Sequence, residues 1–157
     1  TALYVATVAR TYRKAIDDCK ESVEKYRANM DYYKEEIAKC TYRQFTTGFY
    51  YGKPNEETQI YDCNTYVKNR VYLGTVEEVT AAGELVIHQK NKFCVGDTIE
   101  VMAFDGKNVD VEVLAIHDEH GTEMKSAPHP KQLLYVKVSD SEKIRKGMII
   151  RTRHCAV

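Results

Sequence analysis

The sequence predicts an α+β fold, an N-terminal helical hairpin followed by a small antiparallel β-barrel. Two observations carry this. Apolar residues recur at steps of three and four from Val5 to Cys40, and from Val71 onward the apolar period drops to two. A third is the regular spacing of turn dipeptides in the second half, Gly96-Asp97, Asp105-Gly106, His120-Gly121 and Lys146-Gly147.

In the first segment the recurring positions are Val5, Val8, Tyr12, Ala15, Cys19, Val23, Tyr26, Met30, Tyr33, Ile37 and Cys40, with no Gly or Pro among them. One long helix and two consecutive ones both satisfy the pattern. Asn29 suits the N-cap of a second helix, Met30 to Lys39, with Asp31 favourable in its first turn. Glu21/Lys25 and Glu35/Lys39 add helix-spanning pairs in the helpful orientation. Tyr and Cys among the apolar positions argue against a free-standing coiled coil, which favours Leu and Ile. The stripe therefore predicts a docking element whose apolar face needs a cover, or self-association where none is present.

Residues 45–71 change composition abruptly. Phe45, Phe49, Tyr50 and Tyr51 cluster around Gly48 and Gly52, and Lys53-Pro54-Asn55 reads as an exposed loop. Such aromatics either plug a junction or offer stacking surfaces to bases.

The barrel is expected over 72–157. Val71 to Val79 reads as a long strand, kinked at Gly74. Leu85 to Gln89 and Ile99 to Ala103 flank the polar crossover 90–97, and the Asp105-Gly106 turn leads into Val109 to Ile116. A short run at 122–125 precedes Ala127-Pro128-His129-Pro130, whose prolines exclude a central strand. Leu134 to Val138 and Met148 to Arg153 complete six or seven strands. Val86, Ile99, Val101, Val111, Val113, Val136 and Ile150 are the expected core.

The totals exclude several classes. Lys plus Arg is 23 and Asp plus Glu is 23, so an electrostatic partner has to be reached through a local patch. No apolar run approaches the roughly 20 residues of a membrane span, so no membrane partner is expected. Five scattered cysteines without a C-x-x-C pattern favour reduced thiols in a cytoplasmic setting. The chain opens without Met and already in helical register, as a piece of a longer protein would.

Tyr4-Val5-Ala6 through Tyr12-Arg13-Lys14-Ala15-Ile16-Asp17, then Phe45 to Gly52, Asn91-Lys92-Phe93 with Gly96-Asp97, and Ala127 to Pro130 occur in an order that resembles peptidase family U32, the collagenase-like peptidases. The resemblance spans nearly the whole chain. It implies that residues 1–44 link to an upstream TIM-barrel-like domain and that 45–71 is a connector. It also implies that the barrel is similar to the second domain of elongation factor Tu. Members of the family include proteins called proteases, factors that hydroxylate transfer or ribosomal RNA, and proteins of quinone synthesis. The family's cysteine motif and acidic residues lie upstream, so no catalytic residue, iron–sulfur role or other cofactor is carried onto this chain.

The remaining candidates are weighed from the residues. His117-Asp118-Glu119-His120 gathers possible metal ligands, but neighbours at a strand end point apart. Ser126, Ser139, Ser141 and the cysteines lack a local base partner. Neither a metal nor a nucleophile is assigned. Basic residues offer more: Lys90 and Lys92 in the crossover, and Arg145, Lys146, Arg151 and Arg153 toward the C-terminus, near Lys143. With Phe49, Tyr50 and Tyr51 these form a candidate surface for RNA or a protein substrate. Two functions follow: the accessory, substrate-recognition barrel of a U32 peptidase, or the RNA-grasping module of an RNA-hydroxylating enzyme.

Overall fold

The computed structural model describes residues 1–40, 49–53 and 70–153. Three helices precede a closed antiparallel barrel. Helix α1 spans Ala2–Glu21, with Thr1 as its N-cap accepting from the Tyr4 amide. It ends at Ser22, whose extended backbone (φ −160°, ψ 147°) breaks the helix. The Ser22 hydroxyl then caps α2, Val23–Ala28, accepting from the Lys25 amide at 3.0 Å. Helix α3 covers Met30–Ala38. Asn29 does stand at its N-cap position, but its side chain donates to Asp18 at 3.1 Å instead of capping. Arg10 pairs with Glu36 and Asp18 with Tyr33, so α1 and α3 run antiparallel as the arms of a hairpin.

Strands β1 (Tyr72–Val79), β2 (Leu85–Gln89), β3 (Thr98–Met102), β4 (Asn108–His117), β6 (Leu133–Val138) and β7 (Ile149–Thr152) close into a ring. Its order is β1-β2-β6-β4-β3-β7 and back to β1, with every pairing antiparallel. The two-residue β5, Glu123–Met124, hangs on the far end of β4. The kink expected at Gly74 coincides with a register shift between Tyr72 and Gly74 against β7. A Cβ at Gly74 would lie 2.7 Å from the Ile87 side chain and 2.8 Å from the His88 carbonyl, so only glycine fits that crossing.

Ile99, Val101, Val111, Val113, Val136 and Ile150 all lie in the barrel core, joined by Leu73, Val76, Phe93, Leu134 and Ile144. Val86 is the exception. It is buried, but the core-facing side of β2 carries Leu85 and Ile87. Both faces of that strand are apolar, so alternation alone could not choose between them. A further register shift between Val113 and Ala115 turns Ile116 inward and leaves Leu114 exposed.

The helices cover the outer face of β3 and β7. That is why β3 buries four residues in a row, Ile99 to Met102, instead of alternate ones. The face of α1 turned inward is largely polar: its buried residues are Leu3, Thr7, Thr11 and Asp18. Much of the predicted apolar stripe points outward, with Val5 63%, Tyr12 60% and Val23 46% exposed and Cys19 beside them. Ile16 joins the same outer face. The stripe is a surface, not a packing seam, in this part of the protein.

Candidate nucleic-acid interface

Five charged side chains fasten the hairpin to the barrel. Glu100 and Arg151 face each other across β3 and β7, and Arg151 Nε donates to Glu100. Arg151 Nη2 reaches up to Glu36 on α3 at 2.9 Å, and Arg10 Nη2 on α1 meets the same carboxylate at 2.9 Å. Lys39 also pairs with Glu36 and lies 3.9 Å from Glu100. Burial opposes ionisation of Glu36, but the Arg151 charge and the hydrogen bonds from Lys39 and Arg151 hold its carboxyl below the usual range. Burial lowers the Arg10 pKa against the pull of Glu36.

Arg10 also donates to the carbonyls of Ala103 and Lys107 and to Asn108 Oδ1, and the Tyr32 hydroxyl donates to the Gly106 carbonyl. The β3–β4 hairpin tip is thus gripped by α1 and α3. Farther along α1, buried Asp18 accepts from Tyr33 at 2.7 Å and pairs with Lys14 at 3.0 Å. The hydrogen bond from Tyr33 leads the effects that hold the Asp18 carboxyl far below its usual range. Burial, followed by that hydrogen bond, pushes the Tyr33 hydroxyl up to about 12.

These contacts correct the expectation for Arg151. It is fully buried and spent on two carboxylates, so it is no surface contact for RNA or substrate. Periodicity put it on one face with Arg153, but could not reveal that helices cover that face near β7. Arg153, by contrast, is partly exposed and pairs with Asp110 at 2.8 Å.

The other predicted cations fall into two groups. Lys92 and Arg153 line one surface cavity with Phe93 and Asp97 at the end of the barrel where β1 and β3 begin. Lys90, just past β2, is tied to the same end by its amide, which donates to the Leu73 carbonyl at 2.8 Å. The crossover and the last strand are therefore neighbours. Arg145 and Lys146 lie before β7, at the opposite end. Arg145 and Lys143 there line a second cavity with Phe104 and Lys107. Among the described residues no carboxylate lies within ion-pair distance of Lys90, Lys92, Lys107, Lys143, Arg145 or Lys146. The cations of the hairpin, by contrast, are mostly paired.

Phe49, Tyr50 and Tyr51 are 79%, 84% and 83% exposed, so these three rings are not packed into the hairpin or the barrel, and Tyr50 and Tyr51 meet edge-to-face at 5.0 Å. Phe45 lies outside the described residues. His117 to His120 form a turn in which Asp118 accepts from the His120 and Thr122 amides, each at 2.9 Å. The hydrogen bond from Thr122 leads in lowering the Asp118 pKa. Among the described residues no three His, Cys, Asp or Glu side chains converge as a metal site would need. No described helix is long and apolar enough to cross a membrane.

Sequence reasoning passed over Phe104 and Lys107. Phe104 follows Ala103, the inward residue just past the end of β3, and precedes a turn, where a large ring has no interior to enter. That position was the available signal.

The described residues thus form a closed six-stranded barrel that carries an ion-paired helical hairpin and has cations at both ends without a carboxylate partner among them. Residues 68–151 match the peptidase family U32 C-terminal domain and residues 1–60 match peptidase family U32. The chain belongs to peptidase family U32. It is 32% identical over 149 residues to tRNA hydroxylation protein P1 of Bacillus subtilis (strain 168), covering 92% of this chain and 35% of that protein. It is 25% identical over 149 residues to tRNA hydroxylation protein P of Escherichia coli (strain K12), covering 94% of this chain and 32% of that one. The chain thus spans about a third of the length of these relatives. Among solved structures, the C-terminal domain of a Geobacillus thermoleovorans protein described as a U32 peptidase is 26% identical. It covers 53% of this chain and 92% of its own, with a TM-score of 0.48. A selenomethionine variant of that domain gives 26% identity, 52% and 99% coverage and a TM-score of 0.47.

Proposed function

We propose that this chain is the RNA-contacting C-terminal part of a U32-type tRNA hydroxylation protein, without catalytic chemistry of its own. The observation that carries this reading is the segregation of charge. In a chain of zero net charge, the hairpin's cations are mostly consumed by carboxylates, while Lys90, Lys92, Lys107, Lys143, Arg145 and Lys146 at the barrel ends are left open. Open cations in clusters are what a phosphate backbone needs, and they cost little to keep in water. The names of the two curated relatives support transfer RNA as the partner. The peptidase reading draws on the family's name. The outward stripe Val5, Tyr12 and Ile16 on α1, continued by Val23 at the start of α2, is the face on which the rest of a longer protein rests, in this proposal.

The test is binding of unmodified transfer-RNA transcript by fluorescence anisotropy at two salt concentrations. Lys90→Glu/Lys92→Glu and Arg145→Glu/Lys146→Glu reverse charge at one barrel end each. Wild-type affinity should fall steeply with salt, and at least one double reversal should weaken binding and flatten the salt slope by roughly 0.7 to 0.9 for each phosphate no longer held. Absence of binding at low salt, or binding indifferent to both reversals, rejects the reading.

A further inference from the structure

At the β3–β4 end, one exposed aromatic ring stands between two cavities. Phe104 is 66% exposed, unusual for a ring in the turn between two well-packed strands. On one side it lines an apolar groove of about 340 Å³ with Ala6 and Ala9 of α1 and with Met102 and Ile149. On the other it lines a cavity of about 460 Å³ whose charged rim is Lys107, Lys143 and Arg145. The carboxylate that also lines it, Asp105, accepts from the Lys107 amide at 3.0 Å and so is engaged in its own turn.

Phe104 lies beside Gly147, which takes φ +87°; a Cβ there would stand 3.6 Å from Phe104 Cζ, in ordinary van der Waals contact. Arg145 is held: its guanidinium donates to the Ile144 carbonyl at 2.8 Å and to that of Glu142, and its charge has no carboxylate partner among the described residues. The hairpin that carries Phe104 is itself clamped by Arg10 and Tyr32. A flat apolar ring on a clamped hairpin, beside a guanidinium held by two carbonyls, is arranged before any partner arrives, which lowers the ordering cost of binding.

We propose that Phe104 is a stacking platform for one unpaired base of an RNA strand, with Lys107, Lys143 and Arg145 holding the adjacent phosphates. This rests on the RNA reading above and deepens it to a particular site and a particular feature, a splayed-out base. Single-stranded nucleic acid is recognised by this combination of ring stacking and backbone cations, because every base has a π-face and every nucleotide a charge. Cavities of this size suit one nucleotide-scale group and not a packed helix.

The test uses the whole chain and two probes, a labelled short oligouridine and the same oligomer with abasic sites, which keeps the phosphates and removes the rings. Wild type should bind the abasic oligomer about 5- to 150-fold more weakly, the range for loss of one stacked base. Phe104→Ala should lose a similar factor on oligouridine, lose little more on the abasic oligomer, and keep the wild-type salt slope. Phe104→Tyr should stay near wild type, and the retained abasic binding of Phe104→Ala shows that its loss on oligouridine is not misfolding. Lys143→Glu/Arg145→Glu should flatten the salt slope on both oligomers. If wild type binds transfer RNA but Phe104→Ala binds oligouridine as wild type does, the platform is refuted and the broader reading stands. If wild type binds no RNA, both fall.

Discussion

Arg151→Met removes a fully buried guanidinium from between two buried carboxylates. Glu36 keeps Arg10 at 2.9 Å and Lys39, but Glu100 is left with Lys39 at 3.9 Å as its remaining cation among the described residues. Methionine nearly fills the vacated volume, so the loss is mainly electrostatic. Removing one partner of a buried pair costs about 3–5 kcal/mol, because the other charge stays desolvated and uncompensated. For a chain of 157 residues that corresponds to a fall of roughly 6–20 °C in melting temperature. Urea unfolding followed by circular dichroism and tyrosine fluorescence measures the loss directly. Arg13→Met is the control, since the Arg13–Asp17 pair is open to solvent on both sides and should leave the midpoint where it is. Adding Glu100→Gln to Arg151→Met removes the stranded charge and should recover part of the deficit. A shift for Arg151→Met no larger than that for Arg13→Met would mean that Arg151 reaches water. It would then be free to meet a phosphate after all.

Two further outcomes are expected. The carboxyls of Asp18 and Glu36 both sit below their unfolded values, so the unfolded chain takes up their protons first. Their stabilisation is present above about pH 4.5 and is lost as pH falls through the lower folded values, so the urea midpoint should drop on acidification and Asp18→Asn should flatten that profile. Val101→Ala empties a core site of zero exposure and should cost about 2–3 kcal/mol in the same assay, whereas an unchanged midpoint would place Val101 on the outer face and shift the register of β3 by one.

The barrel was legible because period-two alternation and turn glycines are local signals. Ile99, Val101, Val111 and Val113 declared their face through the polar residues between them, and Gly74 marked its own crossing. Val86 was misplaced because Leu85, Val86 and Ile87 offer no polar contrast. The helix break escaped because Ser22 lacks the acidic residue three positions on that would complete a capping box; Lys25 stands there. The site was legible only where charge stays at the surface. Glu36, Glu100, Arg10 and Arg151 look in sequence like solvated residues on amphipathic elements. Their burial comes from packing between segments distant in sequence, Glu36 and Arg151 being 115 residues apart and Glu100 and Arg151 being 51 apart, which no local pattern encodes. Phe104 and Lys107 came together with Lys143 and Arg145 only when the ring of strands closed.

That closure has a consequence for how any partner is engaged. Every strand of the ring has both neighbours filled, and β5 offers an edge of only two residues. An extended peptide therefore finds no row of free amides and carbonyls along which to lie as an added strand, the commonest way a sheet captures polypeptide. What the described barrel presents to the outside is side chains and loop carbonyls at its two rims. Recognition at the described barrel has to be built from point contacts, each with its own geometry.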